Sequence, residues 1–270
     1  MMIRLLALLL ASIMAMPAIA APGLVAGTFN EFKVELPDDL RKSAGRGTLS
    51  PVTHARVTIA APPNFDPARN WPVVVISATT DRGSSSSRSL LREYAESALA
   101  SGWVAVAADP AEAIPAEQDG VALRLALNTV AVAVVALQWP GADKAALAFG
   151  GFSGGAKISG WLAAAFASRG RNVIGVYQSG CNENTVAEGM ALFGDANATF
   201  KRTPVFLVSG DKDPVAKPGD HDGIAADLKR AGFRNVRIER FPGAHDTYPP
   251  SMRVALDWFR ELAALPATAR

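Results

Sequence analysis

The stretch ALAFGGFSGGAKISG, residues 146–160, is the most informative segment of this 270-residue chain. A short apolar run leads into two glycines, Ser153, two further glycines and then an apolar segment that begins with Ala156 and Lys157. A strand that enters a tight glycine turn and leaves as a helix is typical of two loops, one that binds phosphate and one that presents a nucleophile. The choice between them depends on residue spacing and on the rest of the chain.

The phosphate-binding interpretation departs from its pattern at one position. A phosphate loop has a glycine, four residues, and then Gly-Lys followed by Ser or Thr, so that the lysine reaches the phosphates. Gly150 and Gly155 have this spacing, but Ala156 stands where the lysine belongs and Lys157 comes one residue later. One residue turns a helical side chain by about 100°, away from the phosphates. The chain also lacks Gly-x-Gly-x-x-Gly, which argues against a dinucleotide-binding loop.

The nucleophile interpretation matches its pattern at every position. Gly151-Phe152-Ser153-Gly154-Gly155 supplies the pattern Gly-x-Ser-x-Gly between a strand and a helix. The glycines leave room for a strained turn that projects the Ser153 hydroxyl from the carboxyl edge of a sheet. The amide of Gly154 would then face an oxyanion developing on a substrate.

The order of later residues strengthens this interpretation. The strand PVFLVSG is followed by Asp211 and Asp213, and the last strand is followed by His245. Serine, then acid, then histidine is the chain order of an α/β triad in which each residue follows a strand. The histidine removes the serine proton, and the carboxylate orients the imidazole and stabilises its cation.

Alternating strands and helices predict an α/β fold with a mostly parallel sheet covered on both faces. The predicted strands, rich in β-branched or apolar residues, are 56–62, 71–77, 103–109, 145–150, 172–178, 203–210 and 234–241. The predicted helices are 86–101, 118–139, 220–232 and 250–264, besides the one that follows Ser153. A turn joins the first two strands.

The first 20 residues have the layout of a secretory signal peptide. Arg4 precedes an apolar stretch from Leu5 to Met16, and a helix-breaking proline leads to the small-residue run that ends at Ala20. This pattern predicts cleavage after Ala20, a mature protein without stable membrane insertion, and a periplasmic or secreted location. An uncleaved membrane anchor is the alternative, although the apolar core is short for a bilayer span.

Cys181 is the single cysteine of the sequence, so an intramolecular disulfide is excluded. An exported domain without disulfides suits a bacterial periplasm or medium and must be stable through its core. We predict a bystander thiol, because no neighbour in the sequence would activate Cys181 as a nucleophile.

Charge and spacing argue against several other classes of function. The net charge is +2 and the lysines and arginines are dispersed, which excludes the basic stripe of a nucleic-acid binder. Asp211, Asp213, His221 and Asp222 form a conceivable metal site, but their spacing fits no calcium loop. We therefore predict neither a metal ion nor a cofactor, and a structural or solvated role for His221 and His54.

Residues 179–202 separate two strands without a clear helical or strand period. We expect a loop with at most a short helix at the carboxyl edge of the sheet, where ligands bind in parallel sheets. A lid or specificity insert and an ordinary surface excursion both remain open. The apolar side chains of this insert would line an acyl pocket or pack onto the domain; they are Met190, Leu192, Phe193 and Phe200.

From residue 71 to the C terminus the chain resembles an α/β-hydrolase. Its layout, a single domain over residues 21–270 with a short insert at 179–202, is similar to dienelactone-hydrolase-like and polyester-depolymerase-like serine esterases. The resemblance places the acid in a Gly-x-x-Asp turn, here Gly210 to Asp213, and so favours Asp213 over Asp211. Many relatives have His-Gly after the third strand, whereas this chain has Ser77-Ala78-Thr79-Thr80. The expected oxyanion donors are therefore the amides of Gly154 and Thr79.

The resemblance implies an exported serine hydrolase with Ser153 as nucleophile, His245 as base and Asp213 as orienting acid. A small carboxylic ester is the expected substrate, and an acyl-enzyme on Ser153 the expected intermediate. A serine peptidase or acyltransferase on the same scaffold is one alternative. A binding protein that has lost turnover is the other, favoured only by the altered segment around Thr79.

Overall fold

An eight-stranded sheet forms the centre of the molecule in the computed structural model. The structure describes residues 23–80, 86–115, 118–193 and 199–264. The predicted signal peptide, residues 1–20, lies outside these described residues, so its cleavage stays a prediction.

The strands are β1 (Phe29–Glu35), β2 (His54–Ala60), β3 (Val73–Ser77), β4 (Val104–Pro110), β5 (Leu147–Phe152), β6 (Val173–Ser179), β7 (Val205–Gly210) and β8 (Val236–Phe241). The helices of the described residues are α1 (Asp38–Ala44), α2 (Ser87–Ala100), α3 (Val121–Val135), α4 (Gly154–Ala167), α5 (Thr185–Phe193), α6 (Pro218–Arg230) and α7 (Pro249–Ala264). Two short 3₁₀ helices, Ala142–Lys144 and Phe200–Arg202, precede β5 and β7.

The sheet has the order β1-β2-β4-β3-β5-β6-β7-β8. The pairs β1/β2 and β2/β4 are antiparallel, and every pair from β4 to β8 is parallel. The predicted α/β class with a mostly parallel sheet is confirmed. The sequence did not predict β1 or α1, because β1 is a partly exposed edge strand without a clean apolar period.

Both faces of the sheet are buried because side chains alternate along each strand. In β3, Val73 and Val75 join one apolar cluster, whereas Val74 and Ile76 join the cluster on the other face. Residues of α1, α3, α4 and α6 cover the first face, and residues of α2 and α7 cover the second. In the part of the chain that is described, no helix is both long and apolar enough to span a membrane.

The position of β3 places the point where the strand order reverses beside Ser153. β2 and β3 follow one another in sequence but do not pair; β3 instead lies between β4 and β5. The chain leaves β3 through α2 to reach β4 on one side, and leaves β5 through α4 to reach β6 on the other. Connections that diverge in this way open a crevice at the carboxyl ends of the two strands, where α/β proteins bind ligands.

Candidate active site

Ser153 occupies a sharp turn at the carboxyl end of β5. Its backbone has φ 54° and ψ −122°, a region that non-glycine residues rarely adopt and that is common at functional turns. A Cβ on Gly151 would lie 2.4 Å from the Ser77 carbonyl oxygen, and one on Gly155 would lie 1.9 Å from it. The turn therefore requires glycine on both sides of Ser153, because β3 packs directly against it. The Ser153 amide donates to the carbonyl of Ser179, which holds the turn to β6 at 2.8 Å.

The two predicted oxyanion donors lie on adjacent segments. A Cβ on Gly154 would lie 2.6 Å from Thr79 Oγ1 and 3.3 Å from Thr79 Cα, so the backbones of these residues are in close contact. Gly154 opens α4, and the first amides of a helix have no partner within it. The amide of Ala78 donates to Ser87 Oγ at 3.2 Å, so this neighbouring amide is already engaged.

His245 lies between Ser153 and Asp213. Its Nε2 is 3.1 Å from Ser153 Oγ and its Nδ1 is 2.8 Å from Asp213 Oδ2. Both distances are within hydrogen-bond reach, which a general base and its orienting acid require. The loop that carries His245 is tied to α2, because Thr247 Oγ1 donates to Glu93 Oε2 at 3.0 Å.

Asp213 is 3% exposed, and both of its carboxylate oxygens are hydrogen-bonded. Its Oδ1 accepts from the amides of Val215 and Ala216, each at 2.8 Å, while Oδ2 faces His245. Burial acts to raise the pKa of Asp213, but the hydrogen bonds from His245, Ala216 and Val215 outweigh it and hold the pKa below its usual value. Asp213 is therefore a stable anion behind the imidazole.

Asp211, the alternative acid, points elsewhere. Its Oδ1 accepts from the Gly243 amide at 3.0 Å, and its residue is exposed. This contact braces the loop after β8, as does the Lys212 amide, which donates to the Gly243 carbonyl. Of the two aspartates, the structure pairs His245 with Asp213.

Phe152 and Gly180 shape the site although the sequence did not single them out. The rings of Phe152 and His245 lie 4.7 Å apart, tilted by 40°. A Cβ on Gly180 would lie 2.8 Å from Phe152 Cε2 and 3.0 Å from His245 Cε1, and Gly180 has φ +58°. Gly180 follows directly after β6, so any side chain at this position would collide with the His245 imidazole. A glycine directly after a buried strand was the available signal.

Solved structures with a similar fold match most of the chain at low sequence identity. An α/β serine hydrolase without a lid from Xanthomonas campestris is 17% identical, with a TM-score of 0.57 over 91% of this chain and 100% of that one. An esterase from Pyrobaculum calidifontis is 18% identical, with a TM-score of 0.55 over 98% of this chain and 92% of the other. An α/β serine hydrolase homologue from Coxiella burnetii is 14% identical, with a TM-score of 0.55 over 88% and 99%.

The chain has the α/β-hydrolase fold. The resemblance inferred from the sequence is thus confirmed at the level of the fold. No protein-family model matches the sequence, and no curated protein matches it.

The insert of this α/β-hydrolase fold packs beside α4 rather than forming a free loop. A Cβ on Gly160 would lie 2.2 Å from Thr185 Oγ1, and one on Gly189 would lie 2.8 Å from Ala164 Cβ, so α5 and α4 are in backbone contact. Met190 and Phe193 pack against the core. Phe200 is buried against Phe233 just before β7 begins, at the edge of the sheet opposite Ser153.

Met190, Phe193 and Phe200 are therefore engaged in packing, and Leu192 is partly buried. The expected short helix is present as α5, and residues 194–198 of the insert lie outside the described residues.

Cys181, which belongs to the insert, and His221 are both buried. Cys181 Sγ donates to the Glu183 carbonyl at 3.2 Å, and burial raises the pKa of this thiol to about 12, so it is not a thiolate at neutral pH. His221 accepts the Cys181 amide at Nε2, 3.2 Å away. Burial also lowers the pKa of His221, which favours the neutral ring. His54 lies on β2, with Nδ1 2.9 Å from Thr53 Oγ1.

The side chains considered for a metal site have separate partners. Asp222 pairs with Arg240 at 2.7 Å, while Asp211, Asp213 and His221 make the contacts given above. No group of three or more acidic, histidine or cysteine side chains with the geometry to hold a metal ion occurs among the described residues.

A cavity of about 750 Å³ lies at the other edge of the sheet, away from Ser153. Its lining includes Trp71, Ala146 and Asn172, which precede β3, β5 and β6, together with Arg260 of α7. In the α/β-hydrolase fold the catalytic groups follow the carboxyl ends of strands, so this cavity belongs to the opposite side. The geometry around Ser153, rather than cavity size, identifies the candidate site.

Proposed function

We propose that this protein is a serine hydrolase that cleaves carboxylic esters through an acyl-enzyme on Ser153. The observation that carries the proposal is the position of His245, with Nε2 at 3.1 Å from Ser153 Oγ and Nδ1 at 2.8 Å from Asp213 Oδ2. A serine, a histidine and a buried carboxylate in this geometry activate a hydroxyl for attack on an acyl carbon.

The proposed reaction has two halves. His245 Nε2 takes the proton of Ser153 as Oγ attacks the ester carbonyl carbon, and the oxyanion faces the amides of Gly154 and Thr79. His245 then gives the proton to the departing alcohol, which leaves the acyl group on Ser153. Water attacks this acyl-enzyme by the same route, so the acid is released and Ser153 is regenerated. Asp213 stabilises the imidazolium in both halves.

Small or medium esters fit the surroundings of Ser153 best. Ser153 is partly exposed, and α5 packs along α4 from Gly160 to Ala164, beyond the end that carries the nucleophile. For the described residues we therefore infer a substrate site that is reached directly at Ser153, rather than through a long covered tunnel of the kind that holds extended acyl chains. An esterase and a serine hydrolase without a lid have a similar fold, which supports ester hydrolysis at a site without a lid.

A fluorophosphonate probe tests the proposal, because it reacts with activated serines. Wild-type protein should be labelled and hydrolyse p-nitrophenyl acetate, whereas Ser153→Ala should lose labelling and at least about a thousandfold of its activity. Ser168→Ala, at the far end of the same helix, is the control and should behave as wild type. Labelling at another serine, or wild-type protein that neither reacts nor turns over ester, would refute the proposal. Labelled protein that cleaves p-nitroanilides but not esters would favour the peptidase alternative.

We also propose that the protein is exported and that residues 1–20 are removed. Edman sequencing of protein recovered from the periplasm or medium should start at Ala21. Full-length chain starting at Met1 in the membrane fraction would instead support an anchor.

A further inference from the structure

A buried ionic network lies next to the predicted oxyanion segment, residues Ser77 to Thr80. The Arg124 side chain, on α3, is 5% exposed and contacts two carboxylates. Its Nη1 lies 2.7 Å from Asp109 Oδ1, while Nε and Nη2 bind both oxygens of Asp119 at 2.6 and 2.5 Å. A buried guanidinium with bidentate pairing is strongly oriented, because its planar donors match carboxylate geometry.

Asp109 connects this network to the start of α2. Its two carboxylate oxygens accept from the amides of Ser87 and Arg88, each at 2.9 Å. A carboxylate at this place satisfies amides that have no partner within the helix and interacts favourably with the helix dipole. The first turn of α2 is therefore held to the end of β4.

Ser87 connects the ionic network to the oxyanion segment. Its hydroxyl is fully buried, accepts from the Ala78 amide at 3.2 Å and lies 3.3 Å from Arg124 Nη1. Ala78 follows directly after β3 and precedes Thr79, whose Cα would be 3.3 Å from a Cβ on Gly154. The contact between Ser87 and Ala78 therefore ties the Ser77 to Thr80 segment to the start of α2.

We propose that Ser87, held by Asp109 and Arg124, is a positioning residue that fixes the Thr79 amide toward the oxyanion. This inference rests on the proposed hydrolase function. A hydrogen-bond donor acts on the transition state only where it is preorganised, and a misplacement of about 1 Å far from the chemistry can lower the rate by about a hundredfold. The chain lacks the His-Gly pair of many similar esterases at this place. The network supplies a rigid support for the Ser77 to Thr80 segment from behind.

The matched pair Ser87→Ala and Ser86→Ala tests the role of Ser87. Ser86 is the N-cap of α2, and its Oγ accepts from the Ser89 amide at 3.0 Å. Both variants lose one hydroxyl at the start of the same helix, but only Ser87 contacts Ala78. For p-nitrophenyl acetate we expect Ser87→Ala to lower kcat and kcat/KM by about 10- to 100-fold, with KM within about threefold. Ser86→Ala should keep kcat within about twofold, with a comparable change in melting temperature.

A second pair covers the case in which Ser87→Ala does not fold. Asp109→Asn weakens the contacts to Arg124 and α2, whereas Asp119→Asn weakens a contact of the same arginine that does not reach α2. Asp109→Asn should lower kcat several-fold more than Asp119→Asn. The fluorophosphonate inactivation rate should fall in parallel, and the acid limb of the pH profile should not move.

Two outcomes would overturn the inference, and they are distinguishable. If wild type is labelled and active but kcat is equal in the members of the folded pair, only the positioning role fails. If wild type is neither labelled nor active, the proposed hydrolase function is refuted, and the positioning role is refuted as well because it depends on that function.

Discussion

Ser153 combines a strained backbone with a side chain that lies within hydrogen-bond distance of His245. A non-glycine residue at positive φ costs of the order of 1–3 kcal/mol and persists only where its surroundings impose the conformation. Here the surroundings do so, because the Ser153 amide is held by Ser179 and the flanking glycines allow contact with the Ser77 carbonyl. In this conformation the Ser153 hydroxyl lies at the carboxyl edge of the sheet, within reach of His245.

The two neighbouring aspartates should differ sharply in function. Asp213→Asn should lower kcat by about 10²–10⁴-fold, because an amide favours the wrong imidazole tautomer and does not stabilise the imidazolium. Asp211→Asn keeps an oxygen that can accept from Gly243 and should lower kcat less than about tenfold. Steady-state kinetics on the two variants provide the measurement, and each variant is the control for the other. A reversed order would assign the acid role to Asp211.

Acid pH should remove activity before it removes the fold. Burial raises the pKa of Asp213, but hydrogen bonds from His245, Ala216 and Val215 lower it by more, so the carboxylate stays ionised at pH 5. A histidine must be neutral to accept the Ser153 proton, so kcat/KM should fall toward acid pH, by about tenfold per pH unit on the acid limb of the profile.

Stability gives the control for this pH prediction. Because the pKa of Asp213 is lower in the folded than in the unfolded chain, its contribution to stability is present above about pH 4 and is lost as pH falls further. Melting curves recorded at each pH should therefore stay similar from pH 5 to 7 while activity declines. A flat activity profile between pH 5 and 8 would contradict the role of His245 as base.

At the scale of helices, the contact between α4 and α5 fixes the insert in place. Gly160 of α4 faces the backbone of α5. A Cβ at this position would lie 2.9 Å from both the Thr185 carbonyl carbon and the Val186 amide nitrogen, and closer still to Thr185 Oγ1. A side chain at position 160 would therefore displace the backbone of α5. The insert is therefore part of the packed domain between residues 185 and 193.

Alanine at this glycine should destabilise the protein, contrary to the intrinsic helix preference of alanine. Gly160→Ala should lower the free energy of unfolding by about 1–3 kcal/mol through overpacking. Gly223→Ala is the matched control in α6, where a Cβ would meet no atom within 4 Å, and it should raise stability by about 0.5–1 kcal/mol. Denaturant unfolding of both variants measures the difference. Equal stabilisation by both would show that α5 is not tightly packed on α4.

The whole molecule presents the proposed nucleophile, Ser153, at the carboxyl edge of the sheet, where it is partly exposed. Turnover of p-nitrophenyl esters should therefore be highest for acyl chains of about two to four carbons and should decline as the chain lengthens. The comparison requires kcat/KM at concentrations below micelle formation. A maximum at long acyl chains would contradict direct access to Ser153 and indicate a covered acyl tunnel.

The sequence predicted what depends on local pattern. Apolar runs and helical spacing predicted the α/β class and most of the strands, because periodicity reflects which side of an element is buried. Glycines around Ser153 predicted the turn, because few other residues tolerate its conformation. The order of Ser153, the two aspartates and His245 predicted a candidate site at one edge of the sheet, because parallel strands end on the same side.

Only the tertiary structure decided the contacts between residues that are distant in sequence. Ser153 and His245 are 92 residues apart, and the choice of Asp213 over Asp211 as the partner of His245 depends on how the turn after β7 packs against the loop after β8. The same holds for Ser87 and Arg124, 37 residues apart, and for the pairing of β2 with β4 instead of β3. Local propensity is similar for these alternatives, so long-range packing and hydrogen bonding select among them.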